Sequence, residues 1–129
     1  MAQGQETILD ENSFVVSETD AKGNIIFANE EFCKIAEYSL DELLGKPHNI
    51  VRHKDMPKTA FKDLWDTIKS GKVWHGFVKN ATKSGGYYWV FATVYPYTNE
   101  EGEQCYMSCR RKPSREDVEK YSALYKTMN

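Results

Sequence analysis

The fold is decided by residues 74–97, which read WHGFVKNATKSGGYYWVFATVYPY. Two runs rich in aromatic and β-branched residues flank the turn formers at 83–86, which is the pattern of an antiparallel hairpin. A second turn at 99–102 precedes a further apolar run at 103–110. The stretch and its continuation therefore predict a meander of three antiparallel strands.

The N-terminal part of the chain predicts a hairpin followed by two short helices. Apolar runs at 13–17 and 25–28 flank a cluster of turn-forming residues. Asn29 is placed to cap the first helix, because its side chain can accept a hydrogen bond from a free backbone amide. Residues 39–42, SLDE, have the pattern of a capping box and open the second helix.

The middle of the chain predicts a polar loop and a longer helix. Residues 47–56 show neither a helical nor an alternating period, yet they hold two of the three histidines. We interpret this segment as a functional loop. Pro57 suits the first turn of a helix that ends near Gly71. Ser114 opens a final helix, whose apolar stripe is exposed unless another surface covers it.

The order β-β-α-α-loop-α-β-β-β-α predicts an α+β fold. We expect a five-stranded antiparallel sheet with short helices over one face and a pocket between the sheet and the helices. Residues 1–12 are predicted to be a flexible tail or cap, residues 13–112 one folded domain, and residues 113–129 a connector helix.

Composition argues against several classes of function. The 17 basic and 19 acidic residues give a net charge of −2 without a long block of one sign, so we expect no nucleic acid partner. No stretch approaches the roughly 18 apolar residues of a membrane-spanning helix, and the first residues lack a signal-peptide pattern. We therefore expect a cytoplasmic chain without membrane insertion. Cys33, Cys105 and Cys109 form no CxxC pair and are expected to be reduced.

Strand alternation places one set of side chains toward the predicted pocket. The inward residues of the first two meander strands are Trp74, Gly76, Val78, Asn80, Tyr88, Val90, Ala92 and Val94. Gly76 and Ala92 are small and leave room for a ligand. Trp74 and Asn80 offer a flat ring and an amide that donates and accepts, which suits a planar heteroaromatic ligand. Residue type alone leaves open that Trp74 is a core residue and that Asn80 satisfies a loop backbone.

The opposite face of the same strands carries Trp89, Phe91 and Tyr95. This face is too apolar to be fully exposed to solvent, so we expect another surface to pack against it. A homodimer partner or a flanking helix would do so. The N-terminal tail or the last helix of the same chain would also cover it, and both interpretations stay open.

Several motifs resemble the PAS domains of bacterial aerotaxis receptors. The resemblance extends over nearly all of residues 13–129. The matching pieces are NEEF at 29–32, GKPHNIVRH at 45–53, DMP at 55–57, FKDLW at 61–65, KVW at 72–74, VKN at 78–80, GYYWV at 86–90 and LYK at 124–126.

The resemblance implies a sensory function. In that family the domain binds FAD non-covalently and passes the redox state of the flavin, as a report of oxygen or energy status, to a chemoreceptor signalling module on the same or a separate chain. Carried over position by position, the residues implied for FAD binding or signalling are Asn29, Arg52, His53, Asp55, Trp74, Asn80 and Arg110.

Each implied residue suits a part of the cofactor. Asn80 would hydrogen-bond the polar edge of the flavin, and Trp74 would pack against the ring system. Arg52 and His53 would suit the adenosine diphosphate end, since a guanidinium matches phosphate oxygens. The alternative for Arg52, His53 and Asp55 is an ion pair that stabilises the loop.

The sequence departs from the family pattern at two places. Lys54 stands where the family has a proline, and Ala81 and Thr82 stand where it has a basic pair after the asparagine. Two positive charges are thus missing near the expected position of the phosphates. The sequence therefore leaves open whether the ligand is FAD or FMN.

Two rival functions remain open. A haem-binding gas sensor would share the fold, although His75 faces outward by alternation and His53 lies in the loop. A cofactor-free interaction module would use the apolar outer face. An enzyme is not expected, because the sequence has no nucleophile elbow, phosphate-binding loop or HExxH motif.

Overall fold

A computed structural model of the chain describes residues 4–128. Residues 1–3 of the predicted tail and the last residue of the predicted connector lie outside this range. The elements in chain order are β1 (Val15–Asp20), β2 (Ile25–Ala28), α1 (Glu30–Ala36), α2 (Leu40–Leu43), a 3-10 turn (His48–Val51), α3 (Lys58–Lys69), β3 (Trp74–Ala81), β4 (Tyr87–Thr98), β5 (Gln104–Arg111) and α4 (Arg115–Tyr125).

The five strands form one antiparallel sheet in the order β2-β1-β5-β4-β3. The first and last strands of the chain are therefore neighbours at its centre. Helices α1 to α3 contribute buried side chains to the core on one face, and α4 contacts the opposite face. The predicted α+β fold with helices over one face and a C-terminal helix is confirmed.

The predicted helix caps are present. The Asn29 side chain accepts a hydrogen bond from the Phe32 amide at 3.0 Å. Ser39 and Glu42 form the reciprocal capping box, and Ser114 caps α4. These caps are local contacts between residues three apart, which is why the sequence alone predicts them.

Two segments differ from the sequence-based prediction. The loop predicted at 47–56 contains a 3-10 turn, in which the Arg52 amide donates to the Asn49 carbonyl at 2.9 Å. The first strand extends to Asp20 instead of ending at Ser17, because β5 pairs with it along its full length. A neighbouring strand imposes that extension, since local propensity does not favour Asp in a strand.

The outer face of the sheet is covered in part by the last helix of the same chain. The Tyr121 ring lies 4.5 Å from the Phe77 ring, and the Tyr125 ring lies 6.1 Å from the Trp89 ring. The Tyr125 hydroxyl donates to the Phe77 carbonyl at 2.7 Å. Part of the α4 stripe is thus packed against the sheet, whereas Leu124 and Met128 remain exposed.

The N-terminal segment also packs on this side of the domain. The Thr7 amide donates to the Tyr87 carbonyl at 2.8 Å, and the Tyr87 amide donates to the Gln5 carbonyl at 2.9 Å. Leu9 is buried, and Glu6 pairs with Arg115 of α4 at 2.8 Å. Residues 4–9 and α4 therefore hold each other against the sheet.

None of the helices within residues 4–128 combines the length and the apolar character that crossing a lipid bilayer requires.

Candidate functional site

A cavity of about 410 Å³ lies between the inner face of the sheet and α3. This volume is within the range of small-molecule sites, about 300–1,000 Å³. Its apolar cover comes from α3 and consists of Phe61, Leu64, Trp65 and Ile68. The sheet supplies Val78, Asn80, Ala92, Val94, Tyr106 and Arg110. The predicted inward orientation of Val78, Asn80, Ala92 and Val94 is confirmed.

The charged lining of this cavity is entirely basic. It consists of Lys22, Arg52, Lys62 and Arg110, with His48 beside them, and none of the described lining residues is acidic. A cavity with this distribution of charge attracts ligands that carry negative or strongly electronegative groups.

Arg110 lies on β5 with only 2% of its surface exposed. Its guanidinium donates to the Ser17 hydroxyl, and Nη2 lies 3.0 Å from His48 Nε2. The Phe32 ring lies 4.8 Å from its Cζ. Burial lowers the pKa of Arg110 to about 10, so the group remains a cation at neutral pH. None of its contacts within residues 4–128 is a carboxylate, and a buried charge without an opposite partner is costly.

His48 faces the cavity from the 3-10 turn. Its Nε2 lies 2.9 Å from the Ser17 hydroxyl and accepts from Arg110, so the ring proton is on Nδ1. Burial and the neighbouring Arg110 charge lower its pKa to about 3. His48 is therefore neutral at physiological pH. It was not among the predicted site residues, because its partners Ser17 and Arg110 lie far away in the chain and no local signal indicates these contacts.

Asn80 and Tyr88 form a cross-strand pair beside Arg110. Asn80 lines the cavity and is 4% exposed. The Tyr88 hydroxyl is fully buried and has no hydrogen-bond partner within the described chain. Its pKa is raised to about 12 by burial, against smaller opposing effects of Arg110 and of the Asn80 side chain. Tyr88 does not line the cavity, and Asn80 is its polar neighbour across the two strands.

Trp74 lies on the inner face but does not line this cavity. Its indole folds over Gly76, and its Nε1 donates to Asp63 of α3 at 2.8 Å. The prediction that Gly76 leaves room for a ligand is wrong, because a Cβ there would collide with the Trp74 ring. The space at Gly76 is filled from within the same strand, while Ala92 does line the cavity.

The three loop residues predicted for the site separate into two groups. Arg52 lines the cavity, and its guanidinium lies 4.3 Å above the Phe61 ring. Asp55 instead binds Lys79 at 2.8 Å, and this ion pair lowers the pKa of Asp55. The Asp55 amide donates to His53 Nδ1 at 3.0 Å. His53 and Asp55 thus stabilise the loop outside the cavity.

Asn29 also lies outside the cavity lining. Its amide oxygen accepts from Val16 at 3.1 Å and from Phe32, while its nitrogen donates to the Phe14 carbonyl at 2.8 Å. The side chain joins β1 to α1 and so positions Phe32 beneath Arg110.

Comparison with known proteins is consistent with this architecture. The family model described as the PAS fold matches residues 25–111. The chain belongs to the PAS fold family.

Two curated relatives are similar to this PAS domain. The aerotaxis receptor of Escherichia coli is 43% identical over 97% of this chain and 25% of its own length. The nitrogen fixation regulatory protein of Klebsiella oxytoca is 32% identical over 81% of this chain and 21% of its own length. The chain thus spans about a quarter of these proteins or less.

A solved structure shows the same PAS architecture. The light-state structure of the blue-light photoreceptor Aureochrome1 LOV superimposes with a TM-score of 0.71, covering 86% of this chain and 87% of the other at 22% identity.

Proposed function

We propose that this PAS domain binds FAD in the cavity between the sheet and α3 and senses redox state or oxygen. The observation that supports this most strongly is the buried Arg110 cation on the cavity floor, which contacts neutral groups only within the described chain. Similarity to an aerotaxis receptor over 97% of the chain supports the same function.

Different lining residues would bind different parts of a flavin. Phe61, Leu64 and Ile68 would pack on the ring system from the α3 side, because they supply apolar surface. Asn80 would donate to and accept from its polar edge. Arg52 at the cavity lining would meet the phosphate groups. A bound flavin would supply reversible electron transfer.

Arg110 would make the protein respond to the charge of the bound ligand. A guanidinium fixed on the cavity floor stabilises negative charge that develops on reduction, because burial strengthens electrostatic interactions. Neutral His48 would hold Arg110 in place through Nε2 without adding a competing charge. Reduction of a bound flavin would thus change the strength of the interaction between Arg110 and the ligand. The hydrogen bond from Arg110 to Ser17 of β1 would change with it.

The remaining predicted site residues would act indirectly. Asn29 would hold α1 and thereby Phe32 under Arg110. Trp74 would anchor α3 through Asp63. His53 and Asp55 would fix the loop that carries Arg52.

The signal would leave through the outer face of the sheet. Strands β3 and β4 carry cavity residues on one face and contact α4 on the other, through Phe77 and Trp89. We infer that residues 13–112 act as the sensory domain and residues 113–129 as the connector to a chemotaxis-type signalling module. A homodimer would form through the part of the outer face that α4 and residues 4–9 leave uncovered. The domain would act in the cytoplasm as a sensor and not as an enzyme.

The test is an absorption spectrum of the purified chain, followed by heat release and chromatography of the chromophore. The two-banded visible spectrum of an oxidised flavin, with FAD released, is the expected result. A sharp Soret band would replace the proposal with a haem sensor. A colourless chain that FAD does not reconstitute would replace it with a cofactor-free interaction module.

A further inference from the structure

The readily oxidised side chains of the cavity wall are aromatic. None of the described lining residues is a cysteine or a methionine, whereas Trp65 of α3 and Tyr106 of β5 both line the cavity. Indole and phenol rings are, after thiols, the side chains that give up an electron most easily. The cavity in which we place the flavin therefore has an electron donor in its own wall.

Trp65 has a fixed position in this wall. Its ring meets the Tyr106 ring edge to face, with the two centroids 5.6 Å apart. It also lies against Gly23 in the turn between β1 and β2, where an added Cβ would approach two ring carbons of Trp65 to 3.1 Å. Because the ring is packed between these residues, the fold sets its distance from a ligand in the cavity.

The indole N–H of Trp65 is accessible to water. It forms no hydrogen bond within residues 4–128, and Trp65 is absent from the buried side chains with an unpaired polar atom in the same range. The Lys69 ammonium lies 5.6 Å from the centre of the Trp65 ring. A cation at the ring disfavours positive charge on it, so an electron that leaves the indole is followed by the N–H proton.

The charged lining residues favour the arrival of an electron on the ligand. They are Lys22, Arg52, Lys62 and Arg110, and no described lining residue is acidic. The Arg110 side chain is buried, and water screens a buried charge only weakly. Electron transfer from Trp65 to the ligand therefore moves negative charge toward cations of the same cavity.

The other two tryptophans do not line the cavity. Trp74 donates its Nε1 proton to Asp63 at 2.8 Å. Trp89 lies on the outer face of the sheet, where its ring stacks on Tyr125 with the centroids 6.1 Å apart. Trp65 is therefore the tryptophan that shares the cavity with the ligand, and Trp89 offers a matched control.

We propose that Trp65 makes this domain responsive to blue light by donating an electron to the bound flavin after the flavin has absorbed light. This inference rests on the proposed flavin site. A flavin accepts electrons one at a time, and its excited state is a much stronger oxidant than its ground state. An indole that does not reduce the flavin in the dark can therefore do so under illumination.

The electrons and protons of this reaction balance with a thiol as the final reductant. Trp65 loses one electron to the flavin and its N–H proton to water, which leaves a neutral tryptophan radical. A thiol in the medium returns a hydrogen atom to this radical. After two cycles two thiols have become one disulfide, and the flavin has gained two electrons and has taken two protons from water. Light and chemical reductants thus bring the domain to the same reduced state.

The test illuminates the chain loaded with FAD and freed of excess flavin, without oxygen and with dithiothreitol as the thiol. Loss of the visible flavin absorption gives the rate of photoreduction for the unmodified chain, Trp65→Phe and Trp89→Phe. A sample kept in the dark corrects for direct reduction by the thiol. Phenylalanine keeps an aromatic ring at either position but is not oxidised by the flavin.

Three further measurements do not depend on this rate. The lifetime of flavin fluorescence reports electron transfer directly, because transfer competes with emission. Electron paramagnetic resonance of the chain frozen during illumination without thiol detects the tryptophan radical. Titration of each flavin-free chain with FAD measures binding separately, so a change in affinity is distinguished from a change in electron transfer.

The expected effects are confined to Trp65→Phe. Photoreduction is several-fold slower in this variant, the lifetime of flavin fluorescence is several-fold longer, and the radical signal is lost. Trp89→Phe equals the unmodified chain in all three measurements, because its indole lies on the other side of the sheet from the cavity.

Four outcomes overturn the inference, and the last of them also overturns the proposed function. Equal rates and lifetimes in Trp65→Phe and the unmodified chain would show that Trp65 is not the donor. Equal slowing in Trp65→Phe and Trp89→Phe would show an effect on the fold. Absence of a tryptophan radical in the illuminated unmodified chain would refute the inference without any variant, while leaving the flavin site intact. If the unmodified chain does not bind FAD, the flavin site and the inference are both wrong.

Discussion

Replacing Arg110 with methionine should weaken flavin binding without stabilising the flavin-free chain. Burial lowers the pKa of Arg110 from 12.5 to about 10. At about 1.4 kcal/mol per pKa unit, its charged form costs the folded state about 3 kcal/mol. Methionine removes that cost but loses two hydrogen bonds of a charged group, to Ser17 and His48, each contributing about 1.5–3 kcal/mol. The net expectation is a decrease of about 0–3 kcal/mol in the free energy of unfolding.

The assay measures stability and binding separately. Urea unfolding of the flavin-free chain gives the free energy of unfolding, and a fluorescence titration gives the affinity for FAD. We expect FAD affinity to fall by at least about tenfold in Arg110→Met, because a hydrogen bond to a charged group contributes about 1.5–3 kcal/mol. Ser17 and His48 remain 2.9 Å apart, so they keep each other as hydrogen-bond partners in the variant.

Arg111→Met is the matched control. Arg111 is adjacent in sequence but exposed, and its guanidinium stacks on Phe14 with its Cζ 5.0 Å from the ring centroid. This variant should change neither FAD affinity nor stability by more than about 0.5 kcal/mol. If Arg110→Met binds FAD as tightly as the unmodified chain does, Arg110 is a structural residue and the reasoning is refuted.

Three further predictions test other parts of the site. Ala92→Phe should fill the cavity, so the flavin-to-protein ratio after purification should fall toward zero; a ratio equal to that of the unmodified chain would place the ligand elsewhere. Asn29→Ala should lower the free energy of unfolding by about 1–2 kcal/mol through the lost cap, with an unchanged dissociation constant for FAD as the check on its indirect role. Burial lowers the pKa of His48 from 6.5 to about 3, so the folded chain binds this proton only at lower pH than the unfolded chain. The free energy of unfolding should therefore decrease as the pH falls from 6.5 toward 3, and His48→Gln should make that decrease shallower in urea titrations across the range; an identical pH dependence in both chains would contradict the assignment.

The sequence predicted the elements whose determinants are local. Asn29, Ser39 and Ser114 cap helices because their side chains reach amides only three residues ahead. Strand alternation predicted that Asn80 and Ala92 face inward, since the side-chain period of a strand is two. Resemblance to a family added Arg52 and Arg110, which do line the cavity.

The sequence did not predict the packing of individual side chains. Trp74 lies on the predicted face, yet its ring covers Gly76 and binds Asp63 instead of lining the cavity. Alternation determines the side of a sheet on which a residue lies, whereas its rotamer depends on the space that neighbouring elements leave. The same limit applies to His53 and Asp55, which contact each other outside the cavity.

By itself the sequence determined the order of strands and helices, their caps and the inner face of the meander, because these follow from interactions between near neighbours. Only the tertiary structure brought together Ser17, His48 and Arg110, which come from β1, the 3-10 turn and β5. It also showed that α4 covers part of the outer face through Tyr121 and Tyr125, a contact that the sequence left open. Contacts between residues far apart in the chain depend on which strands pair in the sheet, and no local pattern specifies that pairing.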